Sequence, residues 1–228
     1  MREIIFLLLL TAVVSAGLDQ SYEQTVMVEG DSTIQKTMDM SLFSDDEALA
    51  KVQAVCDDNP SCDVDNETIT IREEFGPGIY YSYENNYGLF IDYGLTVKKI
   101  PTDKFSRSLE RILREAEVVE GSGSAAEAID LLRDNSKEAE FLRKFNVNIV
   151  YTIEMPAGIT EATAGDVSGA IDGTSVSFDL LEVMENQAPI VVKSSQLNTS
   201  YVIIAAAIVV LAGLAMLFRG SKKKRRKK

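Results

Sequence analysis

The sequence predicts an α+β domain, with a curved antiparallel sheet packed around helices in a helix-grip-like arrangement, followed by one C-terminal transmembrane helix. Strand-like runs are grouped around amphipathic helical segments, whereas regular alternation of the two would indicate a parallel sheet. One uninterrupted apolar run near the C-terminus is long enough to cross a membrane. With 228 residues and 46% hydrophobic composition, the chain has room for one domain with a core and for targeting segments.

The first elements form a predicted hairpin followed by a helix. The segments YEQTVMV and TIQKTMDMSLF alternate polar and apolar residues, and EGDS between them supplies a turn. Ser44 and Glu47 have capping-box spacing, and Leu49, Val52 and Val55 lie on one helical face. We therefore expect two strands and then a helix.

The middle of the chain predicts further strands. ETITIRE and GIYYSYE are joined through Gly76-Pro77-Gly78, and a turn at Asn85-Asn86 leads into YGLFIDYGLTVKK. The last segment alternates with period two, which predicts a strand whose apolar face carries Tyr87, Leu89, Ile91, Tyr93, Leu95 and Val97.

Two helices and a return to strands complete the predicted domain. Residues 103–118 place apolar side chains at helical spacing, and a GSGS break precedes a second helix that Ser124 and Glu127 would cap. Three strands follow, and their apolar residues are Val147, Ile149, Tyr151 and Ile153, then Val176, Phe178 and Leu180, and finally those of APIVVKS.

The two ends of the chain predict its topology. Residues 1–16, with Arg2, an apolar run and a small-residue end, are typical of a secretory signal peptide. Residues 201–218 carry no charge and would span about 27 Å as a helix, close to a hydrocarbon core. Residues 219–228 hold eight Lys and Arg, which favours a cytoplasmic tail that also contacts membrane lipids. Residues 17–196 are then the extracytoplasmic domain, and the protein is predicted to lie in the cell membrane as a single-pass surface protein.

Charge and composition exclude several functions. Residues 17–200 hold 34 of the 35 acidic residues but only 14 of the 23 basic ones, so this region repels phosphate backbones and is not expected to bind nucleic acid. The chain has no His, which removes the common nucleophile-activating pairs and the commonest metal ligand. We expect no enzymatic activity, no catalytic residue and no cofactor.

An oxidising compartment gives the two cysteines a simple interpretation. Cys56 and Cys62 in CDDNPSC are expected to form one short-loop disulfide, because their spacing does not match a CxxC redox motif. Asn66 and Asn198 begin N-glycosylation motifs on the exported side, and Asn66 is the better candidate because Asn198 precedes the predicted span closely.

The acidic loop around the cysteines also invites a calcium interpretation. Asp57, Asn59 and Ser61 fit the first ligand positions of an EF-hand loop. The pattern fails because Cys62 stands where Gly is required and Thr68 where Glu is required. We therefore expect an acidic solvated loop and no metal site.

Aromatic residues are concentrated in one part of the chain. Residues 75–93 hold seven of the 17 Phe and Tyr residues. A curved sheet crossed by a helix can leave an apolar cavity, and these aromatics could line it. The candidate ligand-binding residues are Tyr80, Tyr81, Tyr83, Tyr87, Phe90 and Tyr93. The alternative is that they fill the core or, if exposed, form a surface for a protein partner.

One stretch suggests a family. IEMPAGITEATAGDVSGAIDGTSVSFDLLEV runs toward the C-terminal span, with Met155-Pro156-Ala157-Gly158 after a strand and with Gly165 and Gly173 further on. It resembles the LppM-like domain of mycobacterial lipoproteins and related bacterial and archaeal surface proteins. The resemblance covers about 30 residues closely and the rest by element order. It implies a curved sheet gripping helices around an apolar cavity for a lipid, although this chain lacks a lipobox cysteine.

These observations predict a single-pass membrane-anchored surface protein whose outer domain binds an apolar or lipid-like ligand. The alternative is a non-catalytic structural or protein-interaction module of the cell envelope, whose protein partner the sequence does not identify.

Overall fold

The computed structural model describes residues 19–39, 46–65, 67–117 and 148–224, with side-chain exposure given as far as residue 214. The described residues form an α+β fold with two sheets and four α-helices. The strands, in chain order, are β1 (Asp19–Val26), β2 (Ser32–Asp39), β3 (Cys62–Asp65), β4 (Thr68–Phe75), β5 (Tyr81–Tyr87), β6 (Phe90–Val97), β7 (Asn148–Glu154), β8 (Ile159–Ala164), β9 (Val167–Ser168), β10 (Ala170–Asp172), β11 (Ser175–Asp179) and β12 (Ile190–Leu197). The helices are α1 (Asp46–Asp57), α2 (Thr102–Glu115), α3 (Leu180–Asn186) and α4 (Thr199–Lys224).

The α+β class is confirmed, but the prediction of one antiparallel sheet is wrong. Sheet A has seven strands in the order β10-β11-β7-β1-β2-β4-β3, and sheet B has five in the order β5-β6-β12-β8-β9. Sheet A is mixed, because β1 and β7 pair in parallel with Tyr22 opposite Tyr151. Alternation identifies a strand but does not show which distant strand will pair with it, so the division into two sheets was not visible in the sequence.

The opening hairpin and the first helix are confirmed. β1 and β2 pair in antiparallel fashion, with Val26 opposite Ser32. The turn between them contains Gly30 with a φ of 94°, a backbone conformation that residues with a Cβ rarely adopt. Val52 of α1 is buried, and the disulfide Cys56–Cys62 joins the end of α1 to β3, as predicted. The Ser44 cap lies outside the described residues.

The β5–β6 hairpin differs from its prediction. Asn85 and Asn86 are not a turn; they lie within β5, opposite Tyr93 and Asp92. The turn falls instead at Gly88, whose N–H donates to the carbonyl of Phe90 at 2.9 Å. Glycine has more conformational freedom than asparagine, so Gly88 is the better turn residue here.

Helix α2 confirms the helix predicted for residues 103–118, ending at Glu115, and it covers the inner face of sheet A. Its buried residues are Phe105, Leu109, Ile112 and Leu113. The Phe105 ring meets Tyr22 edge-on at 5.7 Å between centroids and lies 6.3 Å from Phe75. The second predicted helix, beginning at Ser124, lies outside the described residues.

The segment between β7 and α3 carries the chain from sheet A to sheet B and back. Gly165 and Gly173 both have a φ of 62° at turns, consistent with the structural role expected of them. The predicted strand through Leu180 ends one residue early, because the Asp179 carboxylate accepts from the N–H groups of Leu181 and Glu182 and caps α3. α3 then packs against β7 and β11 of sheet A and β9 of sheet B.

The C-terminal apolar run lies in helix α4. Only Asn198 separates α4 from β12, the middle strand of sheet B. Side chains of residues 201–214 are all exposed. No helix among the residues that the structure describes combines the length and the apolar character of a membrane span.

Candidate functional site

The six predicted aromatic residues divide into two groups along the β5–β6 hairpin. Tyr81 and Tyr93 are buried, and Tyr80 and Tyr83 are partly buried against the same core. Tyr87 and Phe90, at the far end of the hairpin, are 61% and 51% exposed. The aromatic residues therefore do not converge on one site.

Tyr81 joins the two sheets. It lies on β5 of sheet B, and its hydroxyl is 2.9 Å from the carbonyl oxygen of Gly30, in the β1–β2 turn, and 2.7 Å from that of Phe75, the last residue of β4 in sheet A. Burial raises the pKa of Tyr81, while hydrogen bonds from Ser32 oppose that shift. The hydroxyl is held by the protein itself.

Tyr83 and Tyr93 are also held by protein groups. Their rings stack at 6.2 Å between centroids. The Tyr83 hydroxyl donates to the carbonyl of Val28 at 3.1 Å, and the Gln196 amide donates to the Tyr93 hydroxyl at 2.8 Å. Desolvation raises the pKa of Tyr83 to about 12, so this phenol is neutral at physiological pH.

Tyr80 belongs to an aromatic contact under α2. Its ring meets Phe75 edge-on at 5.3 Å, and the Lys104 ammonium lies 4.6 Å from the Phe75 centroid. These are the contacts of a packed core with a cation over its rim. For Tyr80, Tyr81, Tyr83 and Tyr93, the structure therefore favours the core interpretation.

The exposed residues form a separate surface at the β5–β6 turn. We define the apolar tip as Tyr87, Leu89, Phe90, Leu197 and Tyr201, each about half exposed or more. Leu197 lies opposite Phe90 in the β12–β6 pairing. The Asn198 N–H donates to the Leu89 carbonyl at 2.9 Å, and the Asn198 carbonyl accepts from Val202 in the first turn of α4. The turn and the start of α4 are thus joined.

Two of these residues depart from the sequence prediction. Tyr87 and Leu89 were placed on the inner face of a long strand, but that strand begins at Phe90 and only Tyr93, Leu95 and Val97 of the predicted face are buried. Leu197 was missed altogether. The glycine at position 88, next to an aromatic residue, was the available signal for a turn.

A polar cleft of about 210 Å³ lies elsewhere, between the disulfide loop, β4 and α2. It is lined by Asn59, Ser61, Ile71, Glu73, Ser108, Arg111 and Ile112. Inside it, the Ser108 hydroxyl donates to the Glu73 carboxylate at 2.6 Å. The Ser61 N–H donates to the Asn59 side chain at 3.1 Å, so Asn59 serves the loop itself. Among the described residues, no group of three or more carboxylates and thiols is placed to hold a metal ion.

Sequence analysis also missed a polar group inside the core of sheet A. The Tyr151 hydroxyl donates to the Gln24 amide oxygen, and the Gln24 amide donates to the Ser32 hydroxyl at 3.0 Å. Lys36 is 7% exposed, with its ammonium 5.3 Å from the Tyr22 ring centroid. Burial lowers the pKa of Lys36 to about 8. The alternation of TIQKTMD could have revealed that Lys36 is buried, because Lys36 falls in phase with buried Ile34.

The two glycosylation candidates differ in what the structure says of them. Asn198 is 8% exposed and joins β12 to α4, so its side chain offers little access to a transferase. Asn66 lies outside the described residues. Of the two motifs, Asn66 remains the better prediction.

Comparison with known proteins adds no relationship to this picture. No protein-family model, curated protein or solved structure matches this chain. The resemblance to the LppM-like domain, carried by residues 153–183, therefore stays a prediction.

Proposed function

We propose that this protein is a single-pass surface protein of the cell membrane, anchored by α4, with its α+β domain outside and its basic tail in the cytoplasm. The observation that carries the proposal is the exposure of apolar side chains along residues 201–214 of α4. Exposed apolar area in water is unfavourable by about 25 cal/mol per Å². A helix with this many exposed apolar side chains needs an apolar surrounding.

The sequence on either side of these side chains supports the same topology. The uncharged run continues to Phe218, and eight Lys and Arg follow from Arg219 onward. Basic residues next to a span are retained on the cytoplasmic side and are attracted to anionic lipids there. The preceding domain then lies outside, where the Cys56–Cys62 disulfide is stable.

We further propose that the outer domain binds an apolar or lipid-like ligand and has no catalytic role. The packing of α2 on sheet A supports a helix-grip-like arrangement. The hydroxyls of Tyr81, Tyr83 and Tyr93 are engaged by protein groups, so we place the ligand contact at exposed Tyr87 and Phe90 instead. Exposed apolar patches of this kind mark lipid or protein contacts.

The anchor is tested by alkaline extraction of membranes from cells that express the full chain. Wild-type protein should stay in the membrane pellet. Replacing Ile204 and Val209 by Arg should release it, because a charge at the centre of a span costs about 3 kcal/mol or more. Ile171→Arg on exposed β10 is the matched control and should stay in the pellet. Release of the wild-type protein would refute the anchor.

The alternative function is a structural or protein-interaction module, which the same exposed tip also favours. Native mass spectrometry of the detergent-solubilised full chain, before and after organic extraction, separates the two. Bound lipid that is reduced in a Phe90→Ser variant would support the lipid-like ligand. Equal lipid content in wild type and Phe90→Ser, together with crosslinking of wild type alone to another surface protein, would support the interaction module.

A further inference from the structure

The apolar tip and α4 form one continuous surface. The Asn198 backbone links them, since its N–H binds the Leu89 carbonyl and its carbonyl accepts the N–H of Val202. Leu197 and Phe90 lie side by side on adjacent strands just before this link. Wherever α4 enters an apolar phase, the β5–β6 turn must lie beside the entry point.

Charge is absent from both segments that meet at the tip. The stretch 85–91, NNYGLFI, has no charged residue, and neither does 194–218. The rest of the domain is strongly acidic, so the end at which these two uncharged stretches meet differs from it in charge. Glu84 and Asp92 flank the first stretch, and the Asp92 carboxylate accepts a hydrogen bond of 2.6 Å from Ser195. Contact with an apolar phase therefore requires no charge to be desolvated within these stretches.

The backbone of the turn is also prepared for such contact. The Gly88 N–H and the Leu89 carbonyl both have protein partners, so burying the turn would leave neither group without a hydrogen bond. Tyr87 and Tyr201 supply aromatic rings with a polar end, the side-chain type enriched where a membrane meets water.

We infer that the apolar tip inserts into the interfacial layer of the outer leaflet and seats the domain against the bilayer. This rests on the proposed anchoring by α4 and names the lipid-like ligand as the lipids of that same membrane. The other end of β5 lies about 20 Å away along the strand, and the exposed loop at Ile79 beside it stays in water. Sheet B then stands with one end at the membrane and the other joined to sheet A.

The chain contains no Trp, so a single introduced Trp reports only on its own position. The experiment uses the full chain in phosphatidylcholine vesicles, with and without phosphatidylcholine brominated on its acyl chains. Phe90→Trp and Tyr87→Trp probe the tip; both positions are exposed, so neither variant disturbs the core. Ile79→Trp, at an 84% exposed site at the other end of β5, is the matched control. Val209→Trp probes α4 itself.

The expected result is bromolipid quenching of at least about twofold for Val209→Trp, clear quenching with blue-shifted emission for both tip variants, and none for Ile79→Trp. Quenching at Val209 without quenching at the tip overturns this inference and leaves the anchor intact. Loss of quenching at Val209 overturns the anchor and the inference together. A blue shift at the tip without bromolipid quenching assigns the tip to a protein or a second copy of the chain, which also overturns the inference. Equal quenching at Ile79 and Phe90 refutes specific insertion of the apolar tip, because both ends of β5 would then contact the bilayer.

Discussion

Tyr81→Phe should lower the free energy of unfolding by weakening the connection between the two sheets, while every apolar contact of the ring is kept. The variant keeps the ring of Tyr81 and removes only its hydroxyl. The buried carbonyl oxygens of Gly30 and Phe75, which lie 2.9 and 2.7 Å from the hydroxyl and share its single hydrogen, then lose that donor. Tyr81 itself is 1% exposed, so water cannot replace the hydroxyl without rearrangement of the core.

The magnitude follows from the cost of an unsatisfied buried group. Leaving a buried acceptor without its partner costs about 1–3 kcal/mol. We expect a loss of about 2 kcal/mol in the free energy of unfolding, which for a domain of this size lowers Tm by roughly 4–8 °C. The assay is thermal unfolding of the full chain in detergent, followed by near-ultraviolet circular dichroism, which reports on aromatic packing.

Tyr87→Phe on the same strand is the matched control. Its hydroxyl accepts from Asn85 at 3.1 Å on an exposed surface, so its removal should change stability by less than about 0.5 kcal/mol. Equal Tm values for Tyr81→Phe and Tyr87→Phe would refute the idea that the Tyr81 hydroxyl joins the sheets.

Three further predictions concern the backbone, pH and the disulfide. Gly30→Ala should lower Tm more than Gly173→Ala: both glycines have positive φ, but only at position 30 would the new Cβ lie 2.4 Å from the Tyr83 ring, so equal losses in thermal unfolding would contradict the contact. Between pH 8 and pH 10 the free energy of unfolding of wild type should rise, relative to that of Lys36→Met, by up to about 1.4 kcal/mol per pH unit. The reason is that Lys36, with a pKa of about 8 in the folded state, releases its proton at a lower pH than it does in the unfolded chain. A difference between the two proteins that stays constant across this range in urea unfolding would exclude that cause. Above pH 10 the free energy of unfolding of wild type and of Lys36→Met should both fall with pH, since burial raises the pKa of Tyr22 and Tyr151 and the folded state then binds more protons than the unfolded chain. Reducing the Cys56–Cys62 disulfide should lower the free energy of unfolding by about 2 kcal/mol, as expected for a loop this short. The same Tm with and without reductant would show that the crosslink adds no stability.

Some of the candidate site could be predicted from local pattern alone. Alternation located β4, β6 and β7 because their inward residues, such as Leu95 and Ile153, must be apolar to be buried. Helical spacing located α2, and residue spacing predicted the disulfide. The β5–β6 turn was misplaced because asparagine pairs and glycine are both turn formers, and only the pairing of Asn85 with Tyr93 decides between them.

The sequence by itself determined the type of the longer elements, the acidic charge of the domain, and the uncharged run that continues into the basic tail, because each depends only on residues near one another in the chain. It did not predict the short strands β3, β8, β9 and β10 or the helix α3. The tertiary structure alone decided that β1 pairs with β7 across more than a hundred residues, that four aromatics serve the core, and that Leu89, Phe90 and Leu197 meet beside α4. Pairing between distant strands follows from the packing of the whole core, and a surface built from two separate segments exists only after those strands have paired.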